Sequence, residues 1–360
     1  VCYRWRLDST MISTKADYTD METIRLVQLV HPDLGRRVAL VNEPHLILLD
    51  DVFGSVFALA NEAINRKRPF SEFVGAVPTA ESIDYEAVYH GASTWKLLPP
   101  LDHPDNPHAC LVSGTGLTHR SSALNRQSMH IKDADNLTDS MKMYRWGLEG
   151  GKPLPGATGV QPEWFYKGTG AILRAHGQPL DIPPYADDGG EEAEIAGLYI
   201  VDDTGRPVRL GFCNGNEFSD HVMERKNYLY LAPSKLRHCA IGPELTVSAD
   251  FTAFTGYVKI KRNNQEIWHH PIKSGEQHMA HSLANLEHHH FKYDSHRVPG
   301  QVHVHFFGAD AFSFGNQLYL EHGDSCEISW ENLGRPLINP VHSQQEKEHA
   351  VSVPSIDELK

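Results

Sequence analysis

Short apolar-rich runs of β type recur along this chain, and they predict strands. Ile24 to Val30 and Arg37 to Val41 are two such runs, and His31-Pro32-Asp33-Leu34-Gly35 between them predicts the turn of a small meander. Ser55 follows as an N-cap, ahead of Val56, Ala60, Ala63 and Ile64 at helical spacing. Residues 21–100 therefore read as a small α+β domain, and Leu98-Pro99-Pro100-Leu101-Asp102-His103-Pro104 as a stiff linker or lead-in strand. From Ala109 onward short strands are punctuated by Gly and Pro. They include Ala171 to Leu173, Ile195 to Val201 returning through Val208 to Phe212, Leu245 to Val247, Tyr257 to Lys261, Val302 to Phe307 and Glu327 to Trp330. Met279, Leu283 and Leu286 recur at i, i+4, i+7 and predict a helix starting near Glu276. A strand-rich segment of roughly 240 residues is long for one sheet, so a closed roll or layered sandwich is expected. The expected organisation is a flexible leader over 1–20, the small α+β domain over 21–100, the strand-rich domain over 105–341 and a C-terminal tail over 342–360.

Composition narrows the function. Hydrophobic residues make up 40% and charged residues 22%, ordinary values for a folded chain. A formal charge of -13 argues against a nucleic-acid partner, because phosphate backbones select for clustered Lys and Arg. Five widely spaced cysteines without a Cys-x-x-Cys pair favour a reducing, cytoplasmic location over a disulfide framework or a structural zinc. No run approaches 18 apolar residues, so no membrane span is expected. Val1 to Asp20 mixes Arg4, Arg6 and Lys15 with Asp8, Asp17 and Asp20 and lacks the apolar core of a signal peptide.

The candidate chemistry centres on Glu192, Glu194 and Glu217. Alternate side chains of a strand share a face ~6.7 Å apart, so Glu192 and Glu194 can converge on one ion, whereas Glu191 points the other way. Folding Ile195–Val201 back through the turn Asp202-Asp203-Thr204-Gly205 lays residue 217 beside residue 192, with a small bulge to absorb. Three adjacent carboxylates repel unless a hard divalent cation joins them: Mg²⁺ by preference, then Mn²⁺ or Ca²⁺. A small anionic 2-keto acid is one ligand able to chelate such an ion, through its carboxylate and keto oxygen, and its C3–H would then become acidic.

Other motifs are weighed beside this one. Lys235 can neutralise the keto acid or shuttle a proton, and Lys167 can partner a carboxylate. His119 follows the turn Gly114-Thr115-Gly116 and is the first candidate for the acid that protonates a leaving hydroxyl. His288, His289 and His290 point about 100° apart on a helix and cannot hold one ion. His303-Val304-His305 puts two imidazoles on one strand face, as in cupin metal sites, but those also want a glutamate a few residues on, where this chain has Ala309-Asp310-Ala311. No Gly-x-Ser-x-Gly string supports a serine nucleophile.

In their order along the chain, Phe165-Tyr166-Lys167, Glu192-Ala193-Glu194, Asn216-Glu217-Phe218-Ser219, Lys235 before Ile241-Gly242-Pro243, and Pro299-Gly300 ahead of Phe307-Gly308 resemble the catalytic domain of the fumarylacetoacetate hydrolase superfamily, over about residues 105–341. The strings Gly114–His119, Leu137–Met141, Gly189–Glu192, Asn216–His221 and Asn285–Tyr293 resemble its bacterial sugar-acid branch, associated with 2-keto-3-deoxy-L-arabonate dehydratases. The resemblance implies a mixed β-roll, commonly dimeric. It also implies Mg²⁺ on Glu192, Glu194 and Glu217, Lys235 beside the substrate, and Lys167, Gly308 and Ser140 among the substrate-binding residues. The implied activity is dehydration of a 2-keto-3-deoxy sugar acid to 2,5-dioxopentanoate. Hydrolysis of a 2,4-diketo acid on the same fold is the first alternative and a non-catalytic sugar-acid binder the second. Hydrolytic relatives tend to carry a glutamate three positions after the histidine, where this chain has Ser122. Three further departures stand out: Glu217 where Asp is common, His238 where an acid is common and Ala309 where Thr is common.

Overall fold

The computed structural model describes residues 23–130, 137–344 and 347–358; the expected leader over 1–20 lies outside them. Among the described residues the strands form one sheet of thirteen and one of five. Along its main path the large sheet runs Thr79–Asp84, His45–Leu49, Gly35–Asn42, Arg25–His31, Leu245–Val247, Pro207–Asn216, Ala193–Val201, Val302–Phe306, Cys110–Gly114 and Phe165–Thr169. It is mixed, because Val302–Phe306 and Cys110–Gly114 pair in parallel while Ala193–Val201 pairs antiparallel with both neighbours. The small sheet runs Gln265–Ser274, Phe254–Arg262, Ser325–Trp330, Leu337–Ser343 and Leu180–Ile182. The chain is thus strand-rich with mixed sheets, as the succession of short β-type runs suggested.

The meander and the first helix form where the sequence placed them. Arg25–His31 pairs with Gly35–Asn42, and helix Val56–Asn65 is capped by Ser55, whose hydroxyl accepts from Ala58 N at 3.1 Å. Two further strands, His45–Leu49 and Thr79–Asp84, extend this segment. Its strands do not close on themselves, because Arg25 and Leu26 pair with Thr246 and Leu245 and so join the large sheet. One core cluster accordingly mixes Leu26, Val38, Leu40 and Leu59 with Ala196, Leu198, Cys213 and Val304. The helix expected near Glu276 begins later, over Leu283–Phe291, because Ser282 caps it and the chain turns before that point. Met279, Leu283 and Leu286 still pack into one cluster, which is why their spacing looked helical throughout.

Ala193–Val201 is buried at every position, a strand covered on both faces. Ala196, Leu198 and Ile200 join the cluster with the first helix, while Ala193, Ile195 and Tyr199 join a second cluster with Val258, Ile272 and Ile328 of the small sheet. The even positions therefore define the face on which Glu192 and Glu194 lie. Gly211 is required where the return strand passes Thr246, since a Cβ there would sit 2.0 Å from the Thr246 carbonyl oxygen.

Glu244 locks the first segment to this frame. Fully buried, it accepts from Arg25 Nη1 at 2.9 Å, from Tyr85 Oη at 2.8 Å and from the Arg335 backbone N–H at 3.0 Å. Glu244→Ala strands Tyr85 and that N–H in a closed site, and is expected to lower unfolding free energy by about 3 kcal/mol. Urea denaturation checks this, with a midpoint shift at unchanged slope as the expected result.

Candidate metal centre

The hairpin brings the three glutamates together as its register requires. Ala193 pairs with Asn216, a one-residue bulge between Leu198 and Tyr199 absorbs the mismatch, and the Glu217 N–H donates to the Glu192 carbonyl at 3.0 Å. The turn is fixed by Asp202, whose carboxylate accepts from the N–H groups of Thr204 and Arg206, each at 2.9 Å. Glu192, Glu194 and Glu217 are buried, and each offers a carboxylate oxygen within 4.8 Å of the other two. The longer arm of Glu217 reaches the cluster. Among the described residues no other His, Cys, Asp or Glu group converges in this way.

Two fully buried lysines close the cluster. Lys235 Nζ lies 2.6 Å from Glu192 Oε1 and 2.6 Å from Glu217 Oε2. It stands 4.7 Å from the centre of the Phe165 ring. Lys167 Nζ donates to Glu217 Oε1 and, at 2.9 Å, to the Phe218 carbonyl. Lys167 arrives from the strand Phe165–Thr169, whose inward positions are Phe165 and Lys167 while Tyr166 faces outward. Glu192 Oε1 also accepts from Ser219 Oγ and from His221 Nε2, the latter at 3.1 Å. Burial alone would lower the His221 pKa, but the hydrogen bond and charge of Glu192, together with Glu224 and Asp188, outweigh it and hold the imidazole above its usual value.

Glu194 is treated differently. Gly308 N–H donates to its Oε2 at 2.6 Å, and no salt bridge among the described residues reaches it. Burial first, then the charges of Glu217 and Glu192, push its carboxyl well above the ordinary range. An unpaired buried carboxylate facing two others is what a cation would relieve, and the donors are all hard oxygens, so the residues fit Mg²⁺, Mn²⁺ or Ca²⁺.

The remaining sequence candidates fall into place around this cluster. Gly308 gives its N–H to Glu194, so it supports a carboxylate; its φ of +98° and the Thr118 hydroxyl, 2.1 Å from where a Cβ would stand, admit only glycine. Ser140 is buried in the first turn of helix Asp139–Gly150, whose apolar residues pack with Leu117 and Ala123 beside the His119 turn. Glu191 points away as expected, accepting from Ser313 N at 2.6 Å and Ser313 Oγ at 2.7 Å. His238 faces Asp181 at 3.3 Å and Arg174.

His119 is held in one tautomer. Thr118 Oγ1 donates to the Phe307 carbonyl at 2.7 Å, so the 2.9 Å contact with His119 Nδ1 requires that nitrogen to be the donor. Nε2 is then a bare lone pair, buried and without a hydrogen-bond partner among the described residues. Burial lowers the pKa to about 4. The resting imidazole is a proton acceptor, and it can act as an acid only after taking a proton.

The histidine-rich strand belongs to the other face of the sheet. Val302, Val304 and Phe306 join the cluster of Ala196 and Leu198, so His303 and His305 project away from the carboxylates. Trp164 Nε1 donates to His290 Nδ1 at 3.2 Å, His290 Nε2 meets His303 Nδ1 at 2.9 Å, and His305 bridges Ser113 Oγ and Thr115 Oγ1 at 2.8 Å each. Burial holds His303 and His305 down to about 3. This neutral, mutually bonded group is no cupin centre.

Sequence reasoning quoted Ser219 and His221 only within longer strings, gave neither a role, and passed over Glu224. The signal was present: Asp220 caps helix His221–Lys226 by accepting from Met223 N at 2.8 Å, and the spacing of three residues between His221 and Glu224 sets both on the buried face.

The architecture matches solved proteins. 2-Keto-3-deoxy-D-arabinonate dehydratase complexed with magnesium and 2,5-dioxopentanoate superposes with a TM-score of 0.66 at 20% identity, covering 89% of this chain and 100% of that one. 5-Carboxymethyl-2-hydroxymuconate delta-isomerase from Mycobacterium smegmatis gives 0.53 at 16% identity, over 89% and 100% of the two chains. 2-Hydroxyhepta-2,4-diene-1,7-dioate isomerase from Mycobacterium marinum gives 0.55 at 15%, over 90% and 100%. No protein-family model matches the sequence, and neither does any curated protein. With its mixed sheets and the site hairpin at their centre, the chain shares its fold with a 2-keto-3-deoxy-D-arabinonate dehydratase and with these two isomerases.

Proposed function

We propose that this protein is a Mg²⁺-dependent hydro-lyase that dehydrates a 2-keto-3-deoxy pentonate, 2-keto-3-deoxy-L-arabonate foremost, to 2,5-dioxopentanoate. The observation that carries the reading is the buried convergence of Glu192, Glu194 and Glu217 flanked by Lys167 and Lys235. The likeness to a dehydratase crystallised with magnesium and 2,5-dioxopentanoate supports it.

Glu192, Glu194 and Glu217 would hold the ion, which when bound would supply the Lewis acidity that makes the C3–H of a 2-keto acid removable. Lys235 offers its charge to the substrate carboxylate and Lys167 keeps Glu217 in place. His119 Nε2 accepts the C3 proton and returns it to the departing C4 hydroxyl, which leaves as water. The resulting C3–C4 alkene still carries the C5 alcohol; moving a proton from C5 to C3 gives the C4–C5 enol, and passing the enol hydroxyl proton to C4 yields the aldehyde. C4 is the substrate's only stereocentre and is lost, so acids of either series converge on one product.

Ser122 favours elimination over hydrolysis of a 2,4-diketo acid. It stands where a second base would be needed, and its hydroxyl donates to the His119 carbonyl at 3.0 Å. Incubation with 2-keto-3-deoxy acids of both series and with a 2,4-diketo acid, under Mg²⁺ and after exhaustive chelation, tests the reading. The expected product is 2,5-dioxopentanoate, formed only with the ion and detected by a coupled dehydrogenase. Pyruvate release from the diketo acid, or full turnover in excess EDTA, rejects it.

A further inference from the structure

Lys235 meets a carboxylate that lies outside the converging group. Glu224, fully buried on helix His221–Lys226, sets its Oε1 3.3 Å from Lys235 Nζ and accepts there from Ser234 Oγ at 2.8 Å. Ser234 and Lys235 are neighbours on the short helix Leu231–Lys235, so one helix end presents both donors to Glu224. The shorter contacts of Nζ, 2.6 Å each, go to Glu192 and Glu217, the residues that would also hold an ion. A divalent cation between those carboxylates draws on the same negative charge and weakens the attraction of both for the ammonium group. Glu224 does not converge with them and keeps its charge for Lys235.

We propose that Glu224 is a positioning residue that anchors Lys235 when the carboxylate cluster carries its cation. Nζ shifts from Glu192 and Glu217 towards Glu224 Oε1, bounded by the Phe165 ring, and its remaining N–H groups turn to the keto acid. The inference rests on the reading of the site given above and adds a residue to it.

Crystals of the protein soaked in MgCl₂ and kinetics of Glu224→Gln decide the matter together. In the loaded parent, Nζ is expected within about 3 Å of Glu224 Oε1. Glu224→Gln is expected to keep its Mg²⁺ affinity, measured calorimetrically, and its KM, while kcat falls about 10- to 100-fold. Glu224→Asp is expected to restore part of that loss, and Ser234→Ala to show a smaller loss in the same direction. A loaded crystal with Nζ still on Glu192 and Glu217 and withdrawn from Glu224 overturns the proposal. So does an unchanged kcat in Glu224→Gln, or a kcat loss matched by an equal loss of Mg²⁺ affinity. A parent that binds no Mg²⁺ rejects the metal centre and this inference with it. A parent that binds Mg²⁺ but dehydrates no acid rejects only the reaction, and the crystal still rules on Glu224.

Discussion

Replacing Glu194 with glutamine is expected to make the ion-free protein more resistant to urea while abolishing its response to Mg²⁺. The parent carboxyl is buried, faces Glu217 and Glu192, and has no salt-bridge partner among the described residues. A neutral isostere removes that repulsion, for a gain on the order of 1–3 kcal/mol. The sign with pH follows from the raised pKa. A carboxyl whose folded pKa exceeds its unfolded one contributes stability that is complete below the unfolded value and is lost as pH rises through the folded value. The ion-free parent should therefore lose stability over that window, and Glu194→Gln should lose less. Ion binding needs the carboxylate ionised, so Mg²⁺ affinity should rise with pH and binding should release protons. For the parent, Mg²⁺ at 100 times its Kd should add about 2.7 kcal/mol. Urea melts with EDTA or Mg²⁺ at several pH values, and calorimetry in buffers of different ionisation enthalpy, provide the measurements. Equal stabilisation of parent and Glu194→Gln by Mg²⁺ would exclude Glu194 as a ligand.

Lys235→Met should be the most damaging single change to the ion-free protein. The ammonium group pairs with Glu192, Glu217 and Glu224, and an apolar side chain leaves those buried carboxylates without it. Breaking a buried pair from one side costs about 3–5 kcal/mol. Much of that loss should return when Mg²⁺ is added, since the ion supplies positive charge to two of the three glutamates. Activity should not return with it, because the group facing the substrate carboxylate is gone; a fall of at least about 100-fold is expected. Thermal melts with and without Mg²⁺, beside turnover at saturating ion, separate the two effects. A variant as stable in EDTA as the parent would show that Lys235 carries no such charge balance.

Much of this site was legible because strands have a period of two. Glu192 and Glu194 at i, i+2, an Asp-rich turn and a countable return strand fix Glu217 opposite Glu192 with no knowledge of the rest of the fold. Lys167 and Lys235 could not be derived in that way. They come from an edge strand and a five-residue helix remote in sequence, and family strings alone pointed to them. His119 was found, but its tautomer depends on where the Thr118 hydroxyl points, a tertiary fact invisible in sequence. The helix near Glu276 was placed too early because apolar spacing reports packing, while the true start is set by the Ser282 cap. Glu224 escaped notice because one buried acid in a polar segment looks like any solvated one until the helix carrying it is docked.

Because Arg25 and Leu26 extend the sheet at Thr246 and Leu245, and Leu26, Val38 and Leu40 share a core with Ala196 and Leu198, residues 23–100 act as a lid on the hairpin's apolar side. Anyone who trims the protein to its reactive half would bare a raw sheet edge and a greasy wall on the same strand face as Glu192 and Glu194. Engineering of this scaffold should begin with the entire frame.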